Sequence, residues 1–323
     1  MKIIKQKGFT LVELMIAISL GLLIVAAGLF IFLNSLKNTR LQDGVAQVQD
    51  GGIFGLEYLA NQIRLANYGN IENRALNEET SRGGIILTTG LPTQSNVNLA
   101  VGNGIETTAF DKNIVTKSGG LSNVNLASDQ LTIQFVAPND MHNCEGEDVF
   151  KGDRVVQRYF LRRETQKVNH DEKVVSLGLA CVASAPAESA STVNAQPKIL
   201  SDFKSSLTGE VIIPNVDYFG ILLGARIGTS YRYYTVDEYS KAVQDARATK
   251  LEQEIPAIEM IKLAVLIRSQ DEVKTAPITL TQYEILGHNI SLNTPVTTNK
   301  TNKFVRNVYV TTIALRNAFG DKS

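Results

Sequence analysis

The first side chain that could do chemistry is a single carboxylate within a long apolar run near the N-terminus. Glu13 is the only ionisable residue between Lys7 and Lys37. A carboxylate near the centre of a bilayer costs roughly 2.5–3.5 kcal/mol on insertion scales, so such a group is a functional-site hypothesis by default. It needs a partner that compensates its charge.

A backbone cut between Gly8 and Phe9 would supply that partner. Glycine has no Cβ, which suits a peptidase that must approach the backbone closely, whereas a secretory signal is cut after its apolar segment. Cleavage would free an α-amine on Phe9, four residues and about one helical turn before Glu13. The amine could pair with Glu13 in the same chain or in a neighbouring one. The alternative is that Glu13 lies at the membrane interface and reaches the lipid headgroups.

The rest of the chain offers little catalytic or metal chemistry. No Walker, dinucleotide-binding, zinc-protease or serine-hydrolase pattern occurs. The three histidines, His142, His170 and His288, are interpreted as surface or turn residues. Residues 141–153 gather oxygen ligands suited to calcium but lack EF-hand spacing, so a solvated acidic loop is the preferred interpretation. We therefore expect no catalytic residue, no metal and no cofactor.

Nucleic acid is not an expected partner either. With 32 basic and 32 acidic side chains the formal net charge is zero, which excludes a globally basic nucleic-acid binder. Arg158 and the basic residues of 162–167 are dense enough to contact phosphate. A solvated strand face is the commoner arrangement of such residues.

The element that positions Glu13 is a membrane helix. The twenty residues from Leu14 to Leu33 carry no ionisable side chain, and as a helix they span about 30 Å, the thickness of the hydrocarbon layer. A backbone in lipid must satisfy its own hydrogen bonds, so this segment is a helix. Three lysines before Gly8 favour a cytoplasmic N-terminus.

The helical pattern continues beyond the membrane as an amphipathic segment. Its apolar stripe recurs at spacings of three and four and consists of Val45, Val48, Gly52, Leu56, Leu59 and Ile63. The segment Asn67–Gly69 is expected to end the helix. Gly51, Gly52 and Gly55 are unfavourable in a helix. They indicate a bend or close packing, with fraying as the alternative.

Beyond Gly69 the pattern is that of a β-rich head with one core. Strands are predicted at 85–89, 131–137, 155–161, 174–182, 261–267 and 304–316. In the last of these, Val305, Tyr309, Ile313 and Leu315 share one face. Helical spacing predicts a surface helix over 237–254, and the segments 96–125 and 184–197 are loop-rich.

The heptapeptide Lys-Gly-Phe-Thr-Leu-Val-Glu that ends at Glu13 resembles the prepilin-peptidase signature of type IV pilins and type II secretion pseudopilins. The resemblance implies cleavage after Gly8 by a membrane aspartyl peptidase, N-methylation of Phe9 and a role for Glu13 in subunit docking. One departure is that major pilins often carry proline at the position of Phe30, whereas the first proline here is Pro92.

Two segments of the head are similar to the C-terminal half of PilW-type minor pilins: residues 264–269, Ala-Val-Leu-Ile-Arg-Ser, and residues 306–317, Arg-Asn-Val-Tyr-Val-Thr-Thr-Ile-Ala-Leu-Arg-Asn. The pair Cys144 and Cys181 fits that family too, and outside the cytoplasm it is predicted to form a disulfide. Closing this loop of 38 residues would stabilise the fold by about 3–4 kcal/mol in the chain-entropy model. Many PilW-like proteins carry an acidic loop before the first segment. Here residues 229–254 are aromatic and helical, so no metal role is transferred.

The predicted fold class is α+β and type IV pilin-like. A long N-terminal α-helix, with a transmembrane half and an amphipathic half, packs on a large antiparallel β-rich head. The predicted organisation is a leader peptide at 1–8, the transmembrane half at 9–33, the amphipathic half at 34–68 and a periplasmic globular head at 69–323.

The predicted function is that of a minor pilin, not an enzyme, which assembles with other minor pilins to prime type IV pilus assembly at or near the tip. The alternatives are a minor pseudopilin of a type II secretion system, a tip adhesin or a DNA-binding pilin. The expected partners are other minor pilins, the major pilin, the prepilin peptidase, the inner-membrane assembly platform and, before assembly, membrane lipid. The chain is predicted to cross the inner membrane once, with a periplasmic head, and then to enter the pilus.

Overall fold

The computed structural model describes residues 8, 10–71, 74–87, 98, 114–164, 176–184, 208–248, 255–273, 280–293 and 304–319. Its elements, in chain order, are helix α1 (Leu11–Ile63), strands β1 (Lys117–Gly120), β2 (Ser128–Val136), β3 (Met141–His142), β4 (Asp148–Val149), β5 (Arg154–Arg163), β6 (Leu177–Ala183), β7 (Glu210–Ile213), β8 (Val216–Ile227) and β9 (Ser230–Tyr234), helix α2 (Val236–Ala248), and strands β10 (Ala257–Arg268), β11 (Gln282–Ile285), β12 (His288–Ser291) and β13 (Arg306–Ala314). A short 3-10 turn, Arg316–Ala318, follows β13.

Helix α1 has the predicted amphipathic second half. The residues buried along it are Gly44, Val48, Gly52, Leu56, Leu59, Ala60 and Ile63. Val45, which the spacing placed in the stripe, is only half-buried, and Gly44 takes its place. The α-helix ends at Ile63, four residues before the predicted end. The chain continues in turns to Asn67 and Gly69, which adopt the left-handed conformation with φ of 65° and 82° and prevent the helix from resuming.

The head consists of two antiparallel sheets that face each other. One has the strand order β1-β2-β5-β6-β7 and the other β13-β10-β8-β9. The largest core cluster lies between them and includes Phe135 and Tyr159 from the first sheet and Phe219 and Leu263 from the second. The predicted fold class is confirmed: a long N-terminal helix packs on an antiparallel β-rich head.

Helix α1 closes one open side of the core, between the edge strands β7 and β13. Cβ atoms added at Gly51 and Gly55 would touch or overlap Ile213 of β7, and one added at Gly52 would overlap the ring of Tyr309 of β13. Glycine is therefore needed at Gly52 and Gly55 for close approach of the helix to both sheets. Of the explanations offered by the sequence, the structure supports close packing, and the helix is continuous through these residues.

Most predicted strands are present, with small shifts at their ends. The exception is 85–89, where Ile85 forms only an isolated bridge to Ile133 and Ile86 donates its N–H to the carbonyl of Thr132; residues 88 and 89 lie outside the described part. The predicted surface helix is α2, which ends at Ala248, and residues 249–254 also lie outside. So do most of the loop-rich segments 96–125 and 184–197.

Among the described residues, the first half of β8 has no neighbouring strand on one side, because β9 pairs only with Leu223–Ile227. There, side chains of β2 accept the backbone N–H groups of β8 in place of a neighbouring strand. The Oγ of Ser128 accepts the N–H of Phe219 at 3.2 Å, and the Oδ2 of Asp129 accepts the N–H of Ile221 at 2.8 Å. These bonds join the two sheets directly.

A buried cluster of charges lies at the start of β8. The register between β8 and β10 shifts so that Asp217 is an extra residue in β8, and such bulges redirect a side chain. Its Oδ2 accepts the Nε–H of Arg306 at 2.7 Å, and its Oδ1 lies 3.5 Å from the Nε of Arg268. Both guanidiniums stack against the ring of Phe304, at 4.5 and 5.4 Å from its centre. The arginines of the two PilW-like segments thus converge on one carboxylate.

The predicted disulfide is present. Cys144, between β3 and β4, is bonded to Cys181 of β6, with the two Cα atoms 6.1 Å apart. Nearby, the Oε2 of Glu145 accepts the backbone N–H of Ala183 at 2.7 Å, so the loop is fastened to the sheet by two different bonds.

The stability of the head should depend on pH through Asp129. Burial raises the pKa of Asp129 from its ordinary value of 3.8 to about 6, although bonds from Ile221 and Ser118 oppose the shift. The fold therefore favours the protonated form. The stability that the protonated Asp129 contributes to the folded state is fully present below about pH 4 and is lost as the pH rises through about 6.

We expect the free energy of unfolding of Asp129→Asn, relative to the wild type, to rise by about 3 kcal/mol between pH 4 and pH 7. Urea unfolding of both chains in detergent measures this difference. A difference that stays constant over that range would contradict the expected role of Asp129.

Removing the carboxylate of Asp217 should destabilise the head strongly. Asp217→Asn keeps the shape but removes the negative charge that faces the buried guanidinium of Arg306, and breaking a buried pair in this way typically costs 3–5 kcal/mol. Urea unfolding at pH 7 tests this, with Glu284→Gln, an exposed carboxylate on β11, as the matched control. A loss below about 1 kcal/mol, the range of surface ion pairs, would show that the cluster is not electrostatically important.

Candidate functional site: the N-terminal helix

Gly8, the predicted cleavage residue, is accessible in the structure. It is exposed, and a Cβ built on it would have no atom within 4 Å. The chain itself therefore does not require glycine at this position. Phe9, the predicted site of cleavage and methylation, lies outside the described residues, as do residues 1–7.

Glu13 forms a capping box with Thr10 at the start of α1. Its Oε2 accepts the N–H of Thr10 at 3.0 Å and the Thr10 hydroxyl at 3.1 Å. The hydroxyl of Thr10 in turn accepts the N–H of Glu13, at 3.3 Å. Capping boxes satisfy backbone donors that a helix start leaves unpaired.

Thr10 is the residue that the sequence interpretation missed. Its signal was present, because a threonine three residues before a glutamate at a helix start is the capping-box pattern. The bonds engage one oxygen of Glu13, and Oε1 makes no hydrogen bond to the described residues. Glu13 thus has a partner within its own chain that is not the Phe9 amine.

The first half of α1 is not covered by the described part of the head. Every residue from Leu11 to Phe32 is exposed, and the first position that the head buries is Gly44. Within the described residues α1 is the one helix long and apolar enough to cross a bilayer. The hydroxyl of Ser19 donates to the carbonyl of Met15 at 2.8 Å, so this polar group is satisfied inside the helix.

The predicted acidic loop is held by its own side chains. Asn143 accepts the N–H groups of Glu145 and Glu147, and the exposed His142 lies 3.1 Å from Asp148. No group of three metal-binding side chains occurs in the described part of the chain. His288 lies on β12, and His170 falls outside that part.

The predicted basic strip is not a solvated face at Arg158. This side chain is among the largest fully buried ones, and its guanidinium lies 4.0 Å from the centre of the Phe160 ring. Cation–π stacking in the sheet explains the burial. Arg163 is exposed, while residues 165–167 lie outside the described part.

Comparison with known proteins gives matches at both ends of the chain. A family model described as the prokaryotic N-terminal methylation motif matches residues 3–29, which contain Gly8, Phe9 and Glu13. A second, described as type IV pilus-assembly protein W, matches residues 202–317, which contain the cluster around Asp217. No curated protein matches significantly.

Among solved structures, a type IV-like pilin from Thermus thermophilus is 13% identical, with 83% of this chain and 95% of that chain covered and a TM-score of 0.35. The chain is thus similar to prepilin-type proteins at its N-terminus and to the type IV pilus-assembly protein W family over 202–317.

Proposed function

We propose that this minor pilin assembles with other minor pilins in the inner membrane and primes type IV pilus assembly, at or near the tip. The proposal rests mainly on the exposed apolar first half of α1, whose first turn is capped by the box of Thr10 and Glu13. A helix of this kind is stable only when lipid or other helices cover it.

The proposed topology follows the same helix. Residues 1–8 are removed as a leader, 9–33 cross the membrane, 34–68 continue the helix, and 69–323 form a periplasmic head. The disulfide between Cys144 and Cys181 supports an oxidising compartment, because such bonds are rare in the cytosol.

Glu13 is proposed to direct docking. Transfer of an apolar helix from lipid into a helix bundle brings no large hydrophobic gain, so packing and polar contacts decide association. Thr10 engages Oε2 of Glu13, which leaves Oε1 for the α-amine of Phe9 in a neighbouring pilin. That pairing would offset the cost of a carboxylate in lipid.

A tip position is supported by the bulk of the head. About 250 residues lie beyond the helix, which suits a cap better than a repeating shaft. A type II pseudopilin would have the same N-terminus, but the pilus-assembly protein W match over 202–317 favours the pilus. Pilins are structural proteins, so no catalytic role is proposed.

Deletion of the gene tests the function directly. We expect loss of surface pili and of twitching, while secretion of enzymes by a type II system continues. Electron microscopy, motility assays and secreted-enzyme assays measure the three separately. Normal piliation with lost secretion would replace the pilus role by the pseudopilin role.

The charge of Glu13 can be separated from its capping role. In Glu13→Gln the amide oxygen can still accept the Thr10 N–H bond, so the helix start is kept while the negative charge is lost. We expect normal cleavage after Gly8 but about tenfold less chain in sheared pili, the effect of about 1.4 kcal/mol.

Immunoblots of membranes and of sheared pili measure cleavage and incorporation. Glu284→Gln in the head is the control and should behave as the wild type. If Glu13→Gln enters pili at the wild-type level, the docking role of the carboxylate is wrong.

A further inference from the structure

Strand β13 lies at the edge of its sheet, and its two sides differ in hydrogen bonding: one side pairs with β10, and the other faces away from the sheet. Ser269 donates its N–H to the carbonyl of Val305, and Leu315 donates to that of Glu259. The odd-numbered residues of β13 therefore form the hydrogen-bonded pairs with β10. The backbone groups of its even-numbered residues point away from β10.

That outer side is unpaired over most of its length. The N–H of Val308 is taken by the side chain of Asn307 at 3.0 Å. Within the described residues the backbone groups of Val310, Thr312 and Ala314 have no partner on this side. Water reaches them, since Val310 is 48% exposed and the other two are also exposed.

Helix α1 packs against the inner face of β13 through Gly52 and Tyr309, but the outer side of the strand has no sequence feature that would exclude another strand. Residues 307–314 include no charged residue and no proline. Strand β13 pairs with β10 over nine consecutive residues without a bulge. Natural proteins normally interrupt such edges with lysine, proline or a bulge, because a regular uncharged edge binds another strand. The groups presented here match only another extended backbone.

An exposed apolar side chain of α1 lies beside this edge. Gly51 faces Ile213 and Gly52 faces Tyr309 of β13, so the next residue, Ile53, lies about 100° further round on the β13 side. Ile53 is 56% exposed. It is about 30 Å along the helix from Leu33, so water and not lipid faces it.

The direction of β13 restricts what can pair with it. Gly44 lies against Val305, and Gly52 lies against Tyr309, so β13 runs parallel to α1 and away from the membrane. Two copies anchored in one membrane have parallel helices. An antiparallel pair of their β13 edges would require one helix to be reversed, so that pairing is excluded.

We propose that the outer edge of β13 binds a strand from the head of a different pilin of the same complex. The bound strand runs towards the membrane, antiparallel to β13 as β10 does. It pairs with the backbones of Val310 and Thr312 and covers Ile53. The inference deepens the proposed function and rests on it, since it names the contact by which the head joins its neighbour.

Paired variants of Val310 test the edge. Val310→Pro removes the outward N–H but no bond to β10, and proline is tolerated on the outer side of an edge strand. Val310→Thr keeps the N–H and changes only the side chain. We expect Val310→Pro to lower the amount of chain in sheared pili about tenfold, while Val310→Thr stays near the wild-type level.

A photocrosslinking residue at Thr312, in the full chain in its native membrane, gives a readout that does not depend on the folding of the proline variant. Mass spectrometry should identify a head peptide of another pilin. A crosslink to lipid or to a second copy of β13 would overturn the proposal, and so would no crosslink or wild-type incorporation of Val310→Pro. If gene deletion leaves piliation intact, the priming role fails, while a Thr312 crosslink to another pilin head would still support the edge contact.

Discussion

The close seating of α1 between β7 and β13 is the contact on which the rest of the head depends. Two facing sheets leave open sides through which water would reach the core. On one side Gly52 and Gly55 let the helix backbone approach Tyr309 and Ile213, and Leu56, Leu59 and Ile63 then enter the core cluster. Helix α1 is therefore an integral part of the head, because its second half contributes side chains to the head's core.

Within the sheet β13-β10-β8-β9, the unpaired part of β8 and the edge strand β13 differ in how their backbone groups are satisfied. Where β9 ends, Ser128 and Asp129 supply acceptors for the bare N–H groups of β8, even though this puts a carboxyl group in the interior. At β13 the described residues supply one such acceptor, the side chain of Asn307. This contrast between a satisfied edge and an open one motivates the proposed strand contact.

How much the sequence predicts depends on whether the determining contacts are local. The buried stripe of α1 follows from the helical period and was predicted except at Val45, while the helix ends at Ile63, a few residues before the predicted end at Asn67–Gly69. The Thr10–Glu13 box is equally local and could have been found. Asp217 could not, because its position as an extra residue in β8 depends on pairing with β10, which is distant in sequence.

The same reason explains the two errors in the head. Arg158 is interpreted from sequence as solvated, since arginine usually is, but Phe160 on the same strand provides a ring for it to stack on. Residues 85–87 have β-type composition but only an isolated bridge forms. Strand composition indicates which residues suit a sheet, whereas the neighbouring chain decides whether a full ladder forms.

The unbroken helix has a mechanical consequence. Its 53 residues extend about 80 Å without a hinge, and the head grips its last third. With the proposed membrane segment as its pivot, the helix acts as a lever on the head. A tilt of about 20°, common for membrane helices, would move the far end of the helix, about 60 Å from the centre of that segment, roughly 20 Å sideways. In the proposed assembly, small adjustments among membrane helices would therefore produce large displacements of the heads.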